Sequence, residues 1–242
     1  MTGTELVDML GLRLEDPSES NFTSATKIKA INISQRSVVN LVDNAYLTEL
    51  QEIDSATFAS NAFADDATGN GLDATGKQTF TGLGIDPIRG GVIAINVYDD
   101  GGSSATDLGF ANMIEPQDAK RLENSYLAGS TDNPVAYIFN ETIYVKPVLA
   151  DGAIDVWYIR NPLEFTSGSA VAGVSQTLAT ECQLNVALQE CILDFAESQL
   201  WKMDNKPDRA GVAYTNAINQ IKALNDRYQV EKPKGIGTQG RA

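Results

Sequence analysis

The chain has 242 residues, of which 43% are hydrophobic and 21% charged, so it is large and apolar enough to form a packed core. It contains no histidine, which excludes the Ser-His and Cys-His nucleophile pairs and every metal site that needs a histidine ligand. Its 32 acidic and 18 basic residues give a net charge of −14, which argues against general affinity for nucleic-acid phosphates or anionic membranes.

The first fifty residues show two helical patterns. Thr2 and Glu5 have the spacing of a capping box ahead of a short first helix. Thr23 is a suitable N-cap for a second helix, which runs to about Asn40 and presents one apolar stripe. Gln35 interrupts that stripe, and we interpret it as a satisfied core amide or a subunit contact.

The middle of the chain reads as a β-rich insertion. Within it, residues 61–91 are rich in Gly, Asp, Thr and Asn, which predicts a long loop with a binding role or with mobility until bound. Three strand patterns separated by tight-turn signals predict an antiparallel meander. They lie at 135–139, 142–148 and 154–160. Residues 163–178 are small and polar, and they predict a connector.

The last third predicts two amphipathic helices joined by a short turn, which is the pattern of an antiparallel helical hairpin. Thr180 and Gln183 have capping-box spacing at its start. Cys182 and Cys191 fall inside the first predicted helix, on opposite faces, where they cannot form a disulfide. We interpret them as two buried thiols in a reducing compartment.

These elements predict an α+β fold. Each C-terminal helix must bury its apolar stripe, and the N-terminal helices are the available partners. We therefore expect a helical bundle formed by residues 1–50 and 179–230, with residues 51–178 as an inserted antiparallel β-meander region. Residues 231–242 contain Pro233 and three glycines, and they predict an extended tail.

One segment nearly matches a phosphate-binding loop. Gly71 to Gln78 fits the spacing G-x-x-x-x-G-K, but Gln78 replaces the hydroxyl residue that holds magnesium, and the flanking strand and helix patterns are missing. The acidic pairs at 65–66 and 99–100 lack the alternating oxygen ligands of a calcium loop. The sequence therefore nominates no catalytic, cofactor-binding or metal-binding residue, and we expect a soluble protein that is not an enzyme.

The charge is divided unevenly along the chain. Residues 1–180 contain 24 acidic and 10 basic residues, whereas residues 181–242 contain eight of each. Two interpretations stay open. The chain is an acidic soluble body with an ordinary salt-bridged helical end, or one part repels polyanions while the other docks onto a partner.

Several short motifs are similar to those of one protein family. They are Phe22-Thr23 followed by Lys27, Asn32 and Gln35; Asn44-Ala45-Tyr46-Leu47; Val135-Ala136-Tyr137; Val145-Lys146-Pro147; Tyr158-Ile159-Arg160-Asn161-Pro162; Leu200-Trp201; and Asp208-Arg209-Ala210. Together with the order of the elements, they resemble the head-to-tail adaptor proteins of tailed phages, also called connector or tail-tubular ring proteins. The resemblance covers most of the chain except about 61–90. Such adaptors occur in short-tailed phages, including the crAss-like phages of gut bacteria.

The resemblance implies a structural virion protein without a cofactor, made in the host bacterial cytoplasm and placed at the head-tail junction. Family members form a homo-oligomeric ring, commonly of twelve copies, between the portal protein and the next tail or adaptor ring. DNA passes through the ring without specific binding, and an acidic channel surface would limit sticking. No membrane is involved.

The resemblance also suggests residues that dock onto a partner: Lys232, Lys234 and Arg241 of the tail, and Trp201. The basic tail is expected to reach an acidic neighbour and to become ordered on binding. The Gly-rich insertion either clamps an adjacent subunit or tail component, or has no such role.

Rival functions belong to other classes. A minor capsid or tail component would share the α+β composition, and a non-viral soluble binding module would act outside any virus particle. A hydrolase would need an acidic pocket, and 32 acidic residues nominate no particular pair.

Overall fold

The computed structural model describes residues 1–54, 71–99, 106–123, 129–149 and 152–231. The chain is mixed α+β, as its sequence predicts, and it divides into two compact units. The first unit contains residues 1–50 and 162–242, and the second contains residues 51–161. The second unit is thus an insertion in the sequence of the first, and it ends before the predicted insertion does.

The described residues contain five α-helices: α1 (Gly3–Arg13), α2 (Ser24–Leu41), α3 (Phe80–Leu83), α4 (Val186–Met203) and α5 (Pro207–Glu231). Short 3-10 helices cover Asn44–Tyr46, Thr48–Leu50 and Pro116–Glu123. The described strands are β1 (Gln51–Asp54), β2 (Lys77–Thr79), β3 (Pro87–Tyr98), β4 (Asp107–Phe110), β5 (Asn112–Met113), β6 (Val135–Phe139), β7 (Thr142–Lys146), β8 (Ala153–Arg160), β9 (Glu164–Thr166) and β10 (Ser175–Thr177).

The N-terminal caps follow the sequence closely. The Thr2 hydroxyl accepts the Glu5 N–H, and the Glu5 side chain accepts the Thr2 N–H, so the predicted capping box of α1 is confirmed. Thr23 caps α2 through its side chain, also as predicted. Gln35 is a satisfied core amide, because it donates to Asn32 and accepts the thiol of Cys182.

The predicted start of α4 is wrong. The helix begins at Val186, and its N-cap is Asn185, whose side chain accepts the Ala187 N–H. Gln183 does not serve as a capping partner, since its side chain accepts the Leu163 N–H instead. Cys182 therefore lies ahead of the helix rather than inside it.

α4 is the central helix of the first unit, because α1, α2 and α5 all pack against it. Its middle turns are buried around most of their circumference, which is typical of a helix surrounded by others. At the end of α1, Arg13 donates to Asp194 of α4 at 2.6 Å and also pairs with Glu190. Burial raises the pKa of Asp194, and the Arg13 hydrogen bond acts against that rise.

The turn between α1 and α2 is built around a buried carboxylate. Both oxygens of Asp16 accept backbone N–H groups, from Ser20 at 2.7 Å, from Asn21 at 3.2 Å and from Phe22 at 2.8 Å. Lys27 of α2 donates its Nζ to the Asp16 backbone carbonyl at 2.9 Å and lies 3.8 Å from the carboxylate. Asp16 and Lys27 are each only 1% exposed, so this pair closes the turn inside the protein.

Residues 163–178, predicted as a connector, contain a two-stranded parallel sheet of β9 and β10. The Asn32 side chain of α2 joins this sheet like an additional strand. It accepts the Phe165 N–H at 2.9 Å and donates to the Phe165 carbonyl at 2.9 Å. The sequence did not predict this sheet, because each strand has only three residues, and alternation of polar and apolar side chains over three residues is too short to indicate a strand.

The second unit holds two four-stranded sheets, with strand orders β1-β8-β3-β4 and β2-β7-β6-β5. The hairpin of β6 and β7 is confirmed, and its turn residues Asn140 and Glu141 both have left-handed backbone conformations. The predicted three-stranded meander is wrong, because β8 pairs with β1 and β3 in the other sheet. This arrangement lets both sheets contribute to one hydrophobic cluster, which includes Ile143 and Val156.

The predicted long loop at 61–91 is partly wrong. Residues 61–70 lie outside the described residues, but the remainder contains β2, α3 and the start of β3. Leu72, Phe80 and Ile85 enter the core cluster from this segment. Their spacing fits neither a helix nor a strand, which is why periodicity indicated only a loop.

We expect Asp16→Asn to destabilise the protein at neutral pH and to flatten its stability below pH 4. Burial acts to raise the pKa of Asp16, but the hydrogen bonds from residues 20–22 outweigh it and lower the pKa from 3.8 to about 2. A lowered pKa gives stability that is present above the unfolded-state value and is lost as the pH falls through the folded-state value. Urea unfolding between pH 2 and pH 5 measures this loss.

The matched control for that experiment is Asp8→Asn, which makes the same chemical change on an exposed position of α1. The control should keep the wild-type dependence of the unfolding free energy on pH. An Asp16→Asn chain with the wild-type pH profile would show that the carboxylate does not hold the turn.

Candidate interaction surfaces

Among the predicted docking residues, the structure describes Trp201, whereas Lys232, Lys234 and Arg241 lie outside the described residues. Trp201 lies near the end of α4 and is 3% exposed. Its indole N–H donates to Glu197 one helical turn earlier, at 3.0 Å. The indole is therefore part of the packing where α4 meets α5.

Two cations cover this indole. The Lys206 Nζ lies 4.6 Å and the Arg209 Cζ 4.8 Å from the ring centroid, within the range of cation–π attraction. Lys206 also pairs with Asp204 at 2.6 Å. Both cations are about half exposed, so a partner at this position would contact Lys206 and Arg209 rather than the buried indole. A docking role for Trp201 itself stays a prediction.

The segment that resembles a phosphate-binding loop forms a turn around its own aspartate. The Asp73 carboxylate accepts the backbone N–H groups of Thr75 at 2.8 Å and Lys77 at 3.0 Å. Burial acts to raise the pKa of Asp73, but the hydrogen bonds from Thr75 and Lys77 lower it. Because Asp73 also accepts the Gly76 N–H through its carbonyl, the loop N–H groups that a phosphate would need are bound to the chain itself.

Both thiols are packed away from solvent. Cys182 and Cys191 are free cysteines, and each donates to a glutamine side chain. Burial raises the pKa of Cys182, and burial together with the nearby Asp194 raises the pKa of Cys191 to about 11. Neither sulfur is therefore a thiolate at neutral pH, which is the reactive form.

One cavity in each unit has a lining drawn from more than one helix or strand. The second unit has a cavity of about 410 Å³, lined by Phe80, Thr81, Gly84, Ile85, Asp86, Pro87 and Glu141. The first unit has one of about 350 Å³, lined by Ser37, Asn40, Leu41, Phe195, Ser198, Gln199, Lys202 and Tyr214. Neither lining pairs a nucleophile with a general base. Among the described residues, no group of three Cys, Asp or Glu side chains is placed to hold a metal ion.

The excess negative charge follows the division into units. Residues 51–161 contain 16 acidic and 6 basic residues, a net charge of −10, whereas the rest of the chain contains 16 and 12, a net charge of −4. The second unit is therefore the strongly acidic part. The split at residue 180 separates −14 from zero, so the remaining excess of −4 in the first unit comes from its N-terminal part and from Glu164.

An apolar strip crosses one face of the sheet β1-β8-β3-β4. Cross-strand partners point to the same face, and the pairing places Ile53 and Ala94 on either side of Trp157. Phe110 of β4 reaches Trp157 diagonally, with ring centroids 5.1 Å apart. Ile53 is 50% and Phe110 63% exposed, so Ile53, Trp157 and Phe110 form an exposed strip, which we call the aromatic strip.

Two carboxylates lie beside the aromatic strip on the same face. Asp107 accepts the Asn96 amide at 2.9 Å and the Gly109 N–H at 2.8 Å. Asp155 accepts the Tyr98 hydroxyl at 2.9 Å. Burial and this hydrogen bond raise the pKa of Tyr98, so the phenol stays protonated and donates to the carboxylate.

Sequence reasoning missed this surface. The one local signal was Trp157, which alternates with the core residues Ile154, Val156 and Tyr158 and so had to point away from them. Phe110 gave no signal, because it meets Trp157 only after β3 has placed β4 and β8 on its two edges.

No protein-family model matches this chain, and no curated protein is significantly similar to it. Among the described residues, no helix has both the length and the apolar character that a bilayer crossing requires.

We expect both cysteines to resist a water-soluble disulfide reagent at pH 8 in the native protein, because they are buried and protonated. Denaturation in guanidinium should release two reactive thiols. Absorbance of the released thiol-reagent product measures both states. As a positive control, Asn219→Cys places a thiol on an exposed position of α5 and should react at once. A fast-reacting thiol in the unmodified native chain would contradict the burial.

Proposed function

We propose that this chain is a structural virion protein that forms a ring of about twelve copies between the capsid portal and the tail, around the channel through which DNA passes. The observation that carries the proposal is the order of its elements. Helices from both ends of the chain belong to one unit, and a β-rich unit is inserted between them in sequence. This is the order that the resemblance to head-to-tail adaptors implies.

The polar residues of α2 that carry the resemblance support this proposal, because each has a structural partner. Lys27 binds the Asp16 turn, Asn32 binds the backbone of Phe165, and Gln35 binds Asn32. Such side chains hold segments together rather than perform chemistry. We therefore propose that α1, α2, α4 and α5 form the helical bundle of an adaptor and that the chain is not an enzyme.

The charge distribution has a role in this proposal. An acidic surface facing the channel would repel DNA and limit its adhesion during packaging and ejection. Most of the excess negative charge lies in the second unit, which makes that unit the source of such a surface. The portal and the next tail or adaptor ring are the proposed partners, and the basic residues at 232, 234 and 241 are the proposed contacts with a neighbour.

The number of copies in each purified virus particle tests the function. Quantitative mass spectrometry against the major capsid protein should give about a dozen copies, since a closed ring fixes a small integer. Hundreds of copies would indicate a shell or tube protein instead. Absence from the particle would favour the non-viral binding module.

Charge reversal in the tail tests the proposed contact. We expect Lys232→Glu, Lys234→Glu and Arg241→Glu together to weaken docking onto the portal vertex roughly tenfold at low salt, through lost and reversed ion pairs. A pull-down of the chain on purified portal measures this. The control reverses three exposed helical cations, Lys29, Lys222 and Arg227, and should dock normally. Unchanged docking of the tail variant would remove the tail from the contact.

A further inference from the structure

The aromatic strip is an exposed apolar surface with carboxylates at its side. Phe110 is 63% exposed, and its ring packs on the partly exposed ring of Trp157. Asp107 lies on the same face and is exposed. Among the described residues, its carboxylate accepts hydrogen bonds from two neutral groups, the Asn96 amide and the Gly109 N–H. The face thus combines aromatic rings with negative charge.

A cationic side chain satisfies both features at once. The face of an aromatic ring attracts Lys and Arg, and a neighbouring carboxylate adds a direct ion pair. The chain already uses this chemistry elsewhere, since Lys206 and Arg209 stand over Trp201 and Lys77 stands over Tyr144. Within the described residues, no Lys or Arg occupies the corresponding position over Phe110 or Trp157.

The chain itself contains a segment with the complementary charge. Residues 232–242 contain Lys232, Lys234 and Arg241 and no acidic residue, whereas the second unit of each copy has a net charge of −10. We propose that the aromatic strip and Asp107 bind residues 232–242 of a second copy of this chain. This inference rests on the proposed ring function. It makes an adjacent copy, rather than the portal, the direct partner of the basic tail, so weaker portal docking by the charge-reversed tail would follow from loss of the ring.

The proposed contact joins two different surfaces of identical subunits. Each copy has one basic segment and one surface made of the aromatic strip and Asp107. Every copy can therefore bind one neighbour through its segment and a second neighbour through its surface. Repeated head-to-tail contacts of this kind generate a closed ring when the rotation between neighbours closes. Charge on both sides makes the contact fast to form and sensitive to salt.

A labelled peptide tests the contact with the intact chain. The acceptor is the full-length protein carrying Lys232→Gln, Lys234→Gln and Arg241→Gln, so that its own tail does not compete. A fluorescein-labelled peptide with the sequence of residues 232–242 is the probe, and fluorescence anisotropy reports binding. We expect saturable binding that weakens as salt increases, and weaker binding to the wild-type chain, whose face is occupied by the tail of a neighbouring copy.

Two variants of the acceptor define the surface. Phe110→Ala should weaken peptide binding about fivefold, by the loss of an exposed cation–π contact. Asp107→Asn should weaken it about threefold, by the loss of one surface charge pair. Phe139→Ala and Asp132→Asn are the matched controls, because they make the same changes at exposed positions of the same unit and should bind normally. Circular dichroism and thermal unfolding verify that all four variants fold.

Sedimentation of the wild-type chain then tests whether the partner is a second copy. The inference is supported if the wild-type chain self-associates and the free peptide dissociates the assembly. Self-association should also be lost in the acceptor with the three glutamine substitutions and in Phe110→Ala. Equal peptide binding by Phe110→Ala, Asp107→Asn and the controls would overturn it, as would the absence of any binding to the acceptor. A wild-type chain that stays monomeric while the acceptor binds peptide would also overturn it, by showing that the tail occupies the face of its own chain. Each of these failures leaves the copy number in the virus particle unchanged, so the proposed function is tested separately.

Discussion

The buried carboxylate of Asp16 is the constraint on which the helical unit depends. It accepts the backbone N–H groups of Ser20 and Phe22 in the turn ahead of α2, and Lys27 binds the same turn from α2. With the angle between the two helices held in this way, Arg13 meets the acidic side chains of α4. Because α5 packs against α4, the α1–α2 turn, Arg13, α4 and α5 form a continuous path of contacts through the unit.

In the second unit, strand β8 contributes both to the hydrophobic core and to the exposed aromatic strip. β8 is the inner strand between β1 and β3, and its even-numbered side chains fill the core shared by the two sheets. Its odd-numbered side chains face the other way, where Trp157 meets Phe110. The same strand that completes the core therefore builds the exposed aromatic strip. Core packing and the candidate binding surface are two faces of one element.

Local chemistry was readable from the sequence, and long-range pairing was not. The sequence predicted the caps at Thr2 and Thr23 and the turn at Asn140-Glu141, because a cap or a two-residue turn depends on side chains within a few positions. The placement of β8 depended on which of two sheets could share a core with it, and strand spacing says nothing about that. The aromatic strip was hidden for the same reason, since Phe110 and Trp157 lie 47 positions apart and meet across β3.

The side chain of Asn32 has a consequence for how this protein behaves in a crowded cell. An unpaired strand edge is a template on which other chains add strands without limit, and a two-stranded sheet has little else to protect it. Asn32 occupies both hydrogen-bonding groups of Phe165 on β9, so that part of the edge is closed by a group that cannot be extended further. The amide of Asn32 thus denies an added strand the backbone groups of Phe165 on this edge.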